Sequence, residues 1–387
     1  MDCHNRHVKV VIAPDSFKES MSAAMAAEAM RRGLLTAVPH AHATICPMAD
    51  GGEGSLQTVL NAPASRFTPV QTCVQGALGQ PKTARYGCDG GQRSAFIESA
   101  EAIGLQTVPP SERNLWRQSS FGVGELVRDA LDRGARKITV GLGGSSTNDG
   151  GAGALAALGM RLLDEDGNAV EATPQGLKSL ARVDLGQLDP RIFKCELEVA
   201  VDVDNPLFGP RGATGVFAPQ KGATPDDIPQ LEAVLERLVG AVHSASGPDV
   251  PSNTHTRPGA GAAGGLGWAF MDVLGATPKS GINLISQIVG LPDALSDADL
   301  VLTGEGSFDA QTLGGKTVMG VVQQAAQRGI PTVVFAGRVD SQEADILDGI
   351  KDTVEISPRD LPLEIALRNG PGNLEKAVAA YFTQTKS

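Results

Sequence analysis

The chain has 387 residues, of which 41% are hydrophobic and 20% charged, as is ordinary for a globular protein of two domains or one large one. Its formal net charge of −11 disfavours a broad nucleic-acid surface, because phosphate backbones are bound by clustered Lys and Arg. No apolar run approaches the ~20 residues of a membrane helix, and the N-terminal stretch lacks the apolar core of a signal peptide. We therefore expect neither nucleic acid nor membrane among its partners.

The cysteines indicate a reducing compartment. They lie at positions 3, 46, 73, 88 and 195, without a CxxC pair or metal-ligand spacing. An odd number of widely spaced cysteines is typical of free thiols and not of a disulfide framework. The sequence therefore predicts a cytoplasmic protein.

Strands and helices alternate at the N-terminal end of the chain. The β-branched run Val8–Pro14 predicts a buried strand, and the apolar positions of Lys18–Pro39 recur at helical spacing. A second strand is predicted from Ala43, followed by a helix over Gly54–Ala62. Strands that alternate with helices at this spacing predict parallel βαβ units.

The central part of the chain has a more mixed pattern. Short strands with Gly/Pro turns, of more antiparallel character, are predicted in Phe67–Gly87 and Arg93–Ala100. Helix 121–134, strand 137–144 and a strand ending at Val203 follow, and 227–245 has the pattern of an amphipathic helix.

Regular alternation returns near the C-terminus. A strand followed by a loop is predicted over 299–309, further strands in 331–337 and 352–357, and helices in 315–329 and 372–384. The simplest fold class is α/β in two domains. A Rossmann-like parallel-sheet domain would be formed from both chain ends (residues 1–60 and 285–387), with a mixed α/β domain inserted over 61–284.

Polar residues follow several of the predicted strands. Ligands of parallel α/β sheets bind outside the carboxyl ends of the strands. Asp-Gly and Gly-Gly pairs are also ordinary turn formers, but turn chemistry rarely requires carboxylates, Lys and Ser together. The pattern therefore favours an enzyme. The residues concerned are Asp15, Ser16 and Lys18; Asp50, Gly51, Gly52 and Glu53; Asp202, Asp204 and Asn205; Gly304, Glu305, Gly306, Ser307 and Asp309 after a strand ending at Leu302; and Gly337 and Arg338.

A glycine-rich loop follows the strand over 137–144. Its glycines allow backbone N–H groups to approach an anion, and a following helix N-terminus would add a favourable dipole. Ser145, Ser146 and Thr147 can donate to phosphate oxygens, whereas Asn148 and Asp149 can position a hydroxyl or a magnesium ion. A tight turn into an Ala-rich helix explains the same residues equally well.

Other nucleotide and hydrolase signatures match only in part. A Walker A loop over 310–317 has Ala310 in place of the first glycine, and Ser146 stands where GxGxxG requires its third glycine. The GLGGSST segment is similar to the phosphate loop of the GHMP small-molecule kinases, but with an inserted glycine. Ser307 lacks the second glycine of a GxSxG elbow, which disfavours a serine hydrolase.

Eight segments, taken together and in order, resemble the bacterial glycerate kinase family, of the glycerate 2-kinase type (type I). The similarity extends from Val11 to Arg338, nearly the whole chain. The segments are VIAPDSFKES, ADGGEG, GLGGSSTNDGGAG, DVDNPLFGPRGA, FAPQKGAT, PGAGAAGGLG, SGI and LTGEGSFDAQTLGGKT.

The resemblance implies transfer of the γ-phosphoryl group of ATP to D-glycerate with Mg2+. Phosphorylation of the 2-hydroxyl would give 2-phospho-D-glycerate and ADP, as in glycolate, glucarate and tartronate-semialdehyde catabolism. It also implies two α/β domains with the active site in the cleft between them. Three alternatives stay open: phosphorylation of the 3-hydroxyl, a small-molecule kinase of GHMP-like type, and a nucleotide sensor without catalysis. Assembly as a homodimer is also open.

Roles follow from what phosphoryl transfer requires, which is alignment, charge neutralisation and an acceptor for the hydroxyl proton. Lys18 and Lys316 would neutralise the γ-phosphoryl group or the glycerate carboxylate, with Lys221 and Arg338 as weaker candidates. Ser16 would hydrogen-bond the substrate, and Asp50 or Asp202 would be the general base. The predicted catalytic residues are Asp15, Ser16, Lys18, Asp50, Asp202 and Lys316. The residues predicted to bind ATP are Gly143, Gly144, Ser145, Ser146, Thr147, Asn148, Gly304, Glu305 and Ser307. The residues predicted to bind magnesium are Asp202 and Asp309, with Glu305 and Asp149 as weaker candidates.

Overall fold

The computed structural model describes residues 7–91, 93–246, 253–308, 317–339 and 349–384. The chain divides into two compact units, each with its own sheet. The terminal unit comprises Met1–Asp50, Gln57–Ser65 and Ile282–Ser387, and the central unit comprises Gly51–Leu56 and Arg66–Gly281. In the described part of the chain, no helix combines the length and the apolar character needed to cross a bilayer.

The described strands are, in chain order, β1 Lys9–Ile12, β2 His42–Ile45, β3 Thr68–Gln75, β4 Pro81–Asp89, β5 Ser94–Glu98, β6 Lys137–Gly141, β7 Arg161–Leu163, β8 Arg182–Asp184, β9 Glu196–Ala200, β10 Thr277–Lys279, β11 Leu300–Phe308, β12 Thr332–Val339 and β13 Ile350–Glu355. The described helices of four or more residues are Ala23–Ala37, Ser55–Asn61, Ser99–Ile103, Phe121–Asp132, Ala152–Ala157, Pro174–Leu177, Ala213–Phe217, Asp227–Ser246, Ala262–Gly265, Ala269–Val273, Gly281–Ile288, Leu291–Ala294, Thr317–Ala326, Leu363–Arg368 and Gly370–Gln384.

The sheet of the terminal unit is parallel throughout, in the order β13-β12-β11-β1-β2. Strands from both ends of the chain therefore alternate with helices around one sheet, as the sequence predicts. Ile12, Leu302 and Phe335 are buried in its core. The first helix, Ala23–Ala37, packs so closely on the last one that a Cβ at Gly33 would lie 2.4 Å from the carbonyl oxygen of Glu375.

The sheet of the central unit is mixed, in the order β10-β9-β6-β5-β4-β3. Strands β10, β9, β6 and β5 are parallel, whereas β3, β4 and β5 pair antiparallel. A small antiparallel pair, β7 and β8, lies apart from this sheet. The predicted α/β class is thus confirmed, with a parallel sheet built from both chain ends and a mixed sheet formed by the intervening part of the sequence.

Three strand ends near the candidate site differ from the prediction. β6 ends at Gly141 and not at Gly144. β9 ends at Ala200 and not at Val203, because its neighbour β6 ends at Gly141, the partner of Ala200. Asp202 therefore lies beyond the strand and not inside it.

β11 continues past Leu302 to Phe308, and its pairing with β12 extends to Ser307 and Arg338. Gly304 and Gly337 permit this pairing, since a Cβ on them would lie 2.1 and 2.5 Å from carbonyl oxygens of the facing strand.

Candidate active site

The loop after β1 is tied to the middle of β11 in the terminal unit. The N–H of Asp15 donates to the carbonyl of Gly304 at 2.9 Å, and the hydroxyl of Thr303 donates to the carbonyl of Ala13 at 2.7 Å. The N–H of Met48, after β2, donates to the carbonyl of Pro14 at 2.9 Å. These bonds hold the Asp15 loop at the carboxyl edge of three parallel strands, where such sheets bind ligands.

Asp15 has a perturbed carboxyl group. The side chain is half-buried, and burial raises its pKa to about 6. Hydrogen bonds from the Thr317 side chain and from the N–H of Ser16, 2.6 Å from Oδ1, oppose that shift, whereas the charge of Asp50 adds to it. A carboxylate whose pKa lies close to neutral pH is suited to accepting a proton in catalysis.

The other predicted residues of this edge differ in accessibility. Lys18 is exposed on the turn Phe17–Met21, closed by a hydrogen bond from the N–H of Met21 to the carbonyl of Phe17. A Cβ on Gly306 would lie 3.5 Å from the backbone nitrogen of Lys18, so this turn lies against β11. Of the other residues predicted at this edge, Asp50 and Ser307 are exposed, Ser16 and Glu305 are half-buried and Gly304 is buried. Asp309 and Lys316 lie outside the described residues.

Two glycine-rich loops meet in the central unit. A Cβ at Gly143 would lie 2.4 Å from the Cα of Gly52, and one at Gly141 would lie 2.4 Å from the carbonyl oxygen of Gly51. The backbones therefore touch, and only glycine fits at these two positions without displacing a loop.

We expect Gly143→Ala to destabilise the protein by about 1–3 kcal/mol, since the new methyl group has to displace backbone. Chemical denaturation measures this change. Gly240→Ala is the matched control, because Gly240 lies in the helix Asp227–Ser246 with nothing within 4 Å of its added Cβ. That control should gain about 0.5–1 kcal/mol from helix propensity. Equal effects of the two variants would contradict the close approach of the loops.

The polar side chains that follow Gly144 point into the protein. Ser145, Ser146, Thr147 and Asn148 are buried. The hydroxyl of Ser146 donates to the carbonyl of Ile103 at 2.9 Å, and the amide of Asn148 donates to the Thr214 hydroxyl at 3.0 Å. The following helix begins only at Ala152. Of the six residues predicted from this loop to bind ATP, Gly143 is half-buried and Gly144 is exposed, so their backbone is the accessible part.

The carboxylate of Asp149 is hydrogen-bonded to buried groups on the inner side of this loop. Its carboxylate accepts hydrogen bonds from the N–H and hydroxyl of Ser120, both at 2.7 Å, and from the N–H groups of Gly151 and Gly153, both at 3.1 Å. It is fully buried, and burial raises its pKa. These four hydrogen bonds satisfy the acceptor capacity of the carboxylate without requiring a metal ion.

Two further carboxylates organise the central-unit edge. Asp202 is half-buried, and both its oxygens accept from the N–H of Gly281, at 3.1 and 3.2 Å. Glu98, at the end of β5, accepts from the N–H groups of Gly54 and Leu56 at 3.0 and 2.8 Å. Burial raises the pKa of Glu98 to about 7. The sequence analysis missed Glu98, although a carboxylate that ends an apolar strand was a detectable signal.

The described carboxylates would bind magnesium only together with oxygen atoms supplied by a bound phosphate ligand and water. No cluster of three or more His, Cys, Asp or Glu side chains with metal-binding geometry occurs among the described residues. Magnesium in kinases is commonly held by one or two carboxylates together with phosphate oxygens and water. The half-buried Asp202 fits that donor set. Its predicted partner, Asp309, lies outside the described residues.

Parallel strands with glycine-rich loops, ammonium groups and perturbed carboxylates at their carboxyl ends define an α/β enzyme of the small-molecule-binding class. The chain belongs to the glycerate kinase family, whose sequence profile matches residues 10–386. The family assignment made from the eight segments is therefore confirmed. Membership of this phosphotransferase family implies the use of ATP.

Individual relatives are similar over most of their length. A glycerate kinase of Halalkalibacterium halodurans is 43% identical over 369 residues, which cover 95% of this chain and 96% of the relative. The glycerate 2-kinase of Escherichia coli is 42% identical over 330 residues, 85% of each chain. A crystal structure from Salmonella typhimurium LT2, named as a glycerate kinase 2, is 40% identical with a TM-score of 0.86, over 98% of this chain and 99% of the other.

Proposed function

We propose that this chain transfers the γ-phosphoryl group of ATP to the 2-hydroxyl of D-glycerate, giving 2-phospho-D-glycerate and ADP. The observation that carries the proposal is the 42% identity, over 85% of both chains, to a relative named glycerate 2-kinase. The perturbed carboxyl group of Asp15 at a sheet edge adds chemical support, because the reaction needs a group that accepts the hydroxyl proton.

Asp15 is the general base in this proposal, preferred over Asp50 and Asp202. The acceptor oxygen of glycerate forms a bond to the γ-phosphorus, the bond from that phosphorus to the β–γ bridging oxygen breaks, and the hydroxyl proton moves to Asp15. Burial and the neighbouring charge of Asp50 make Asp15 basic enough to accept this proton, and the hydrogen bonds from Ser16 and Thr317 orient it. Asp50 is exposed, and Asp202 is engaged with the N–H of Gly281.

The remaining residues of the proposed site bind and orient. The backbone N–H groups of Gly143 and Gly144 donate hydrogen bonds to phosphate oxygens of ATP. The exposed ammonium of Lys18 pairs with the glycerate carboxylate or the γ-phosphoryl group. Magnesium bound with ATP would supply neutralisation of phosphate charge, and Asp202 would hold it. The further proposed contacts, kept from the sequence, are Ser16, Gly304, Glu305, Ser307, Asp309 and Lys316.

Two coupled assays test the reaction and its regiochemistry together. Purified protein with D-glycerate, ATP and magnesium should form a product that enolase converts without phosphoglycerate mutase. A requirement for the mutase would establish phosphorylation of the 3-hydroxyl instead. Absence of glycerate-dependent ADP release from folded protein would refute the proposed activity, and a screen of other hydroxy acids and sugars would then identify a different acceptor.

We also propose a cytoplasmic location. The four described cysteines, Cys46, Cys73, Cys88 and Cys195, are free thiols, which supports a reducing compartment. A homodimer remains a proposal from the sequence, and sedimentation velocity over a range of protein concentrations tests it.

A further inference from the structure

A buried ammonium group lies beneath the glycine-rich loop of the central unit. Lys221 ends the short turn Pro219–Lys221, and its side chain is 3% exposed. Its Nζ donates to the hydroxyl of Ser145 at 3.1 Å and to the carbonyl of Thr147 at 2.8 Å. Lys221 therefore holds the loop from its inner side, whereas Gly143 and Gly144 form its accessible part.

The charge of Lys221 is poorly compensated. Within the described ranges, no carboxylate forms an ion pair with it, and the charge that acts on it most is that of Asp149. Asp149 is already saturated by its donors from Ser120, Gly151 and Gly153. Burial consequently lowers the pKa of Lys221 to about 8, with Asp149 opposing the shift. A buried cation that forms no direct ion pair costs stability, so its presence calls for a functional reason.

A second cation approaches the same region from the neighbouring turn. The guanidinium of Arg113 donates to the carbonyl of Gln220, next to Lys221, at 3.4 Å and to the carbonyl of Leu105 at 3.5 Å. The N–H of Leu105 donates in turn to the carbonyl of Gly144 at 2.8 Å. Among the described residues, these contacts place Asp149 on the loop and Arg113 on the adjoining turn near Lys221. The carboxylate of Glu53 faces the outer side of the same loop, 3.6 Å from a Cβ built on Gly144.

We propose that Lys221 is a positioning residue that supplies buried positive charge to the glycine-rich loop and so strengthens its binding of the nucleotide polyphosphate, acting through Ser145 and Thr147 and not by contact. This inference rests on the proposed function. Charge acts strongly here because the surroundings of the ammonium are dry. A polyphosphate bound at Gly143 and Gly144 would supply the missing counter-charge and thereby stabilise the protonated amine.

The inference predicts a proton uptake that a structural lysine would not give. Nucleotide binding should raise the pKa of Lys221 from about 8, so ADP binding near pH 8.5 should take up as much as about three quarters of a proton per protein. At pH 9 only about a tenth of the free protein would carry the protonated amine, so ADP affinity should fall about tenfold between pH 7 and pH 9. Isothermal titration of Mg-ADP into wild-type protein, in two buffers of different ionisation enthalpy, measures both quantities.

Lys221→Met removes the charge while keeping a similar length. At pH 7 we expect it to bind Mg-ADP about 10- to 100-fold more weakly than wild type, the range typical of an interaction with a charged donor. Its affinity should also lose the dependence on pH above 7. Lys178→Met is the matched control, because Lys178 is an exposed lysine of the same unit that lies 3.8 Å over the ring of Trp116. The control should bind like wild type.

The outcomes separate this inference from the proposed function. Wild-type protein that phosphorylates glycerate but binds ADP without proton uptake or pH dependence between 7 and 9 overturns the role of Lys221. Unchanged ADP affinity of a folded Lys221→Met protein also overturns it. If that variant does not fold, the wild-type titration still decides. Failure of the wild-type protein both to bind ADP and to turn over glycerate refutes the proposed function itself.

Discussion

Replacement of Asp15 by Asn is expected to lower kcat by about 10²- to 10⁴-fold, the contribution typical of a positioned general base. Asn is nearly isosteric and can still accept the N–H of Ser16, so the loop should keep its place between β1 and β11. The KM for ATP should change little. A steady-state assay of glycerate-dependent ADP release measures both constants, and thermal melting confirms that the variant is folded.

The pH dependence of wild-type activity gives a second measure of the same group. Asp15 must be ionised to accept a proton, and its pKa is raised to about 6, so kcat/KM should fall about tenfold per unit as the pH drops below that value. Two variants should move this acid limb in opposite directions. Asp50→Asn removes a charge that raises the pKa and shifts the limb to lower pH, whereas Thr317→Val removes a stabilising hydrogen bond and shifts it to higher pH.

A base other than Asp15 would be revealed by either experiment. Near-normal turnover in a folded Asp15→Asn protein would show that Asp15 is not the general base and would leave Asp50 and Asp202 as the candidates. An acid limb that stays fixed in both the Asp50 and Thr317 variants would show that the titrating group lies elsewhere.

Asp149→Ala should cause the largest loss of stability among the residues of the candidate site. The change leaves the N–H groups of Ser120, Gly151 and Gly153 and the Ser120 hydroxyl without their acceptor. Each buried donor without a partner costs about 1–3 kcal/mol, so we expect a total loss on the order of 3 kcal/mol or more. The Ser120 hydroxyl also accepts a hydrogen bond from the N–H of Ala154, so its displacement would destabilise the helix Ala152–Ala157 as well.

A carboxylate whose hydrogen bonds lie at the surface is the appropriate control for this variant. Asp164 accepts hydrogen bonds from the N–H and the side-chain amide of Asn168, at 2.8 and 3.2 Å, but on the surface. Asp164→Ala should leave the urea midpoint nearly unchanged, because water replaces the lost acceptor. A stable, fully active Asp149→Ala protein would contradict a structural role for Asp149.

The site was only partly predictable, and the glycine-rich loop shows why. Its glycines predicted close approach of backbone N–H groups to an anion, whereas the close approach seen among the described residues is to other backbone. The sequence did not reveal that the close partner of Gly143 is Gly52, far away along the chain. Nor did it reveal that Ser146 and Asn148 turn inward to Ile103 and Thr214, because both groups can bond protein or ligand equally well.

The strand ends illustrate a second limit. Apolar periodicity placed strands near β9 and β11, but a strand ends where its neighbour no longer offers hydrogen-bonding partners. That information lies in the neighbouring strand and is absent from local sequence. β11 therefore continued through Gly304 and Glu305, and β9 stopped before Asp202.

The sequence by itself determined the α/β class, the parallel sheet made from both ends of the chain and membership of a kinase family. These depend on local periodicity and on ordered segments, which can be recognised along the chain. Only the tertiary structure decided which carboxylate is placed to accept a proton and which accepts hydrogen bonds from buried backbone. Asp15 and Asp149 are both aspartates in loops that contain serine and follow a strand, yet burial, neighbouring charge and the number of donors around each give them different chemistry. These quantities are set by residues distant in sequence.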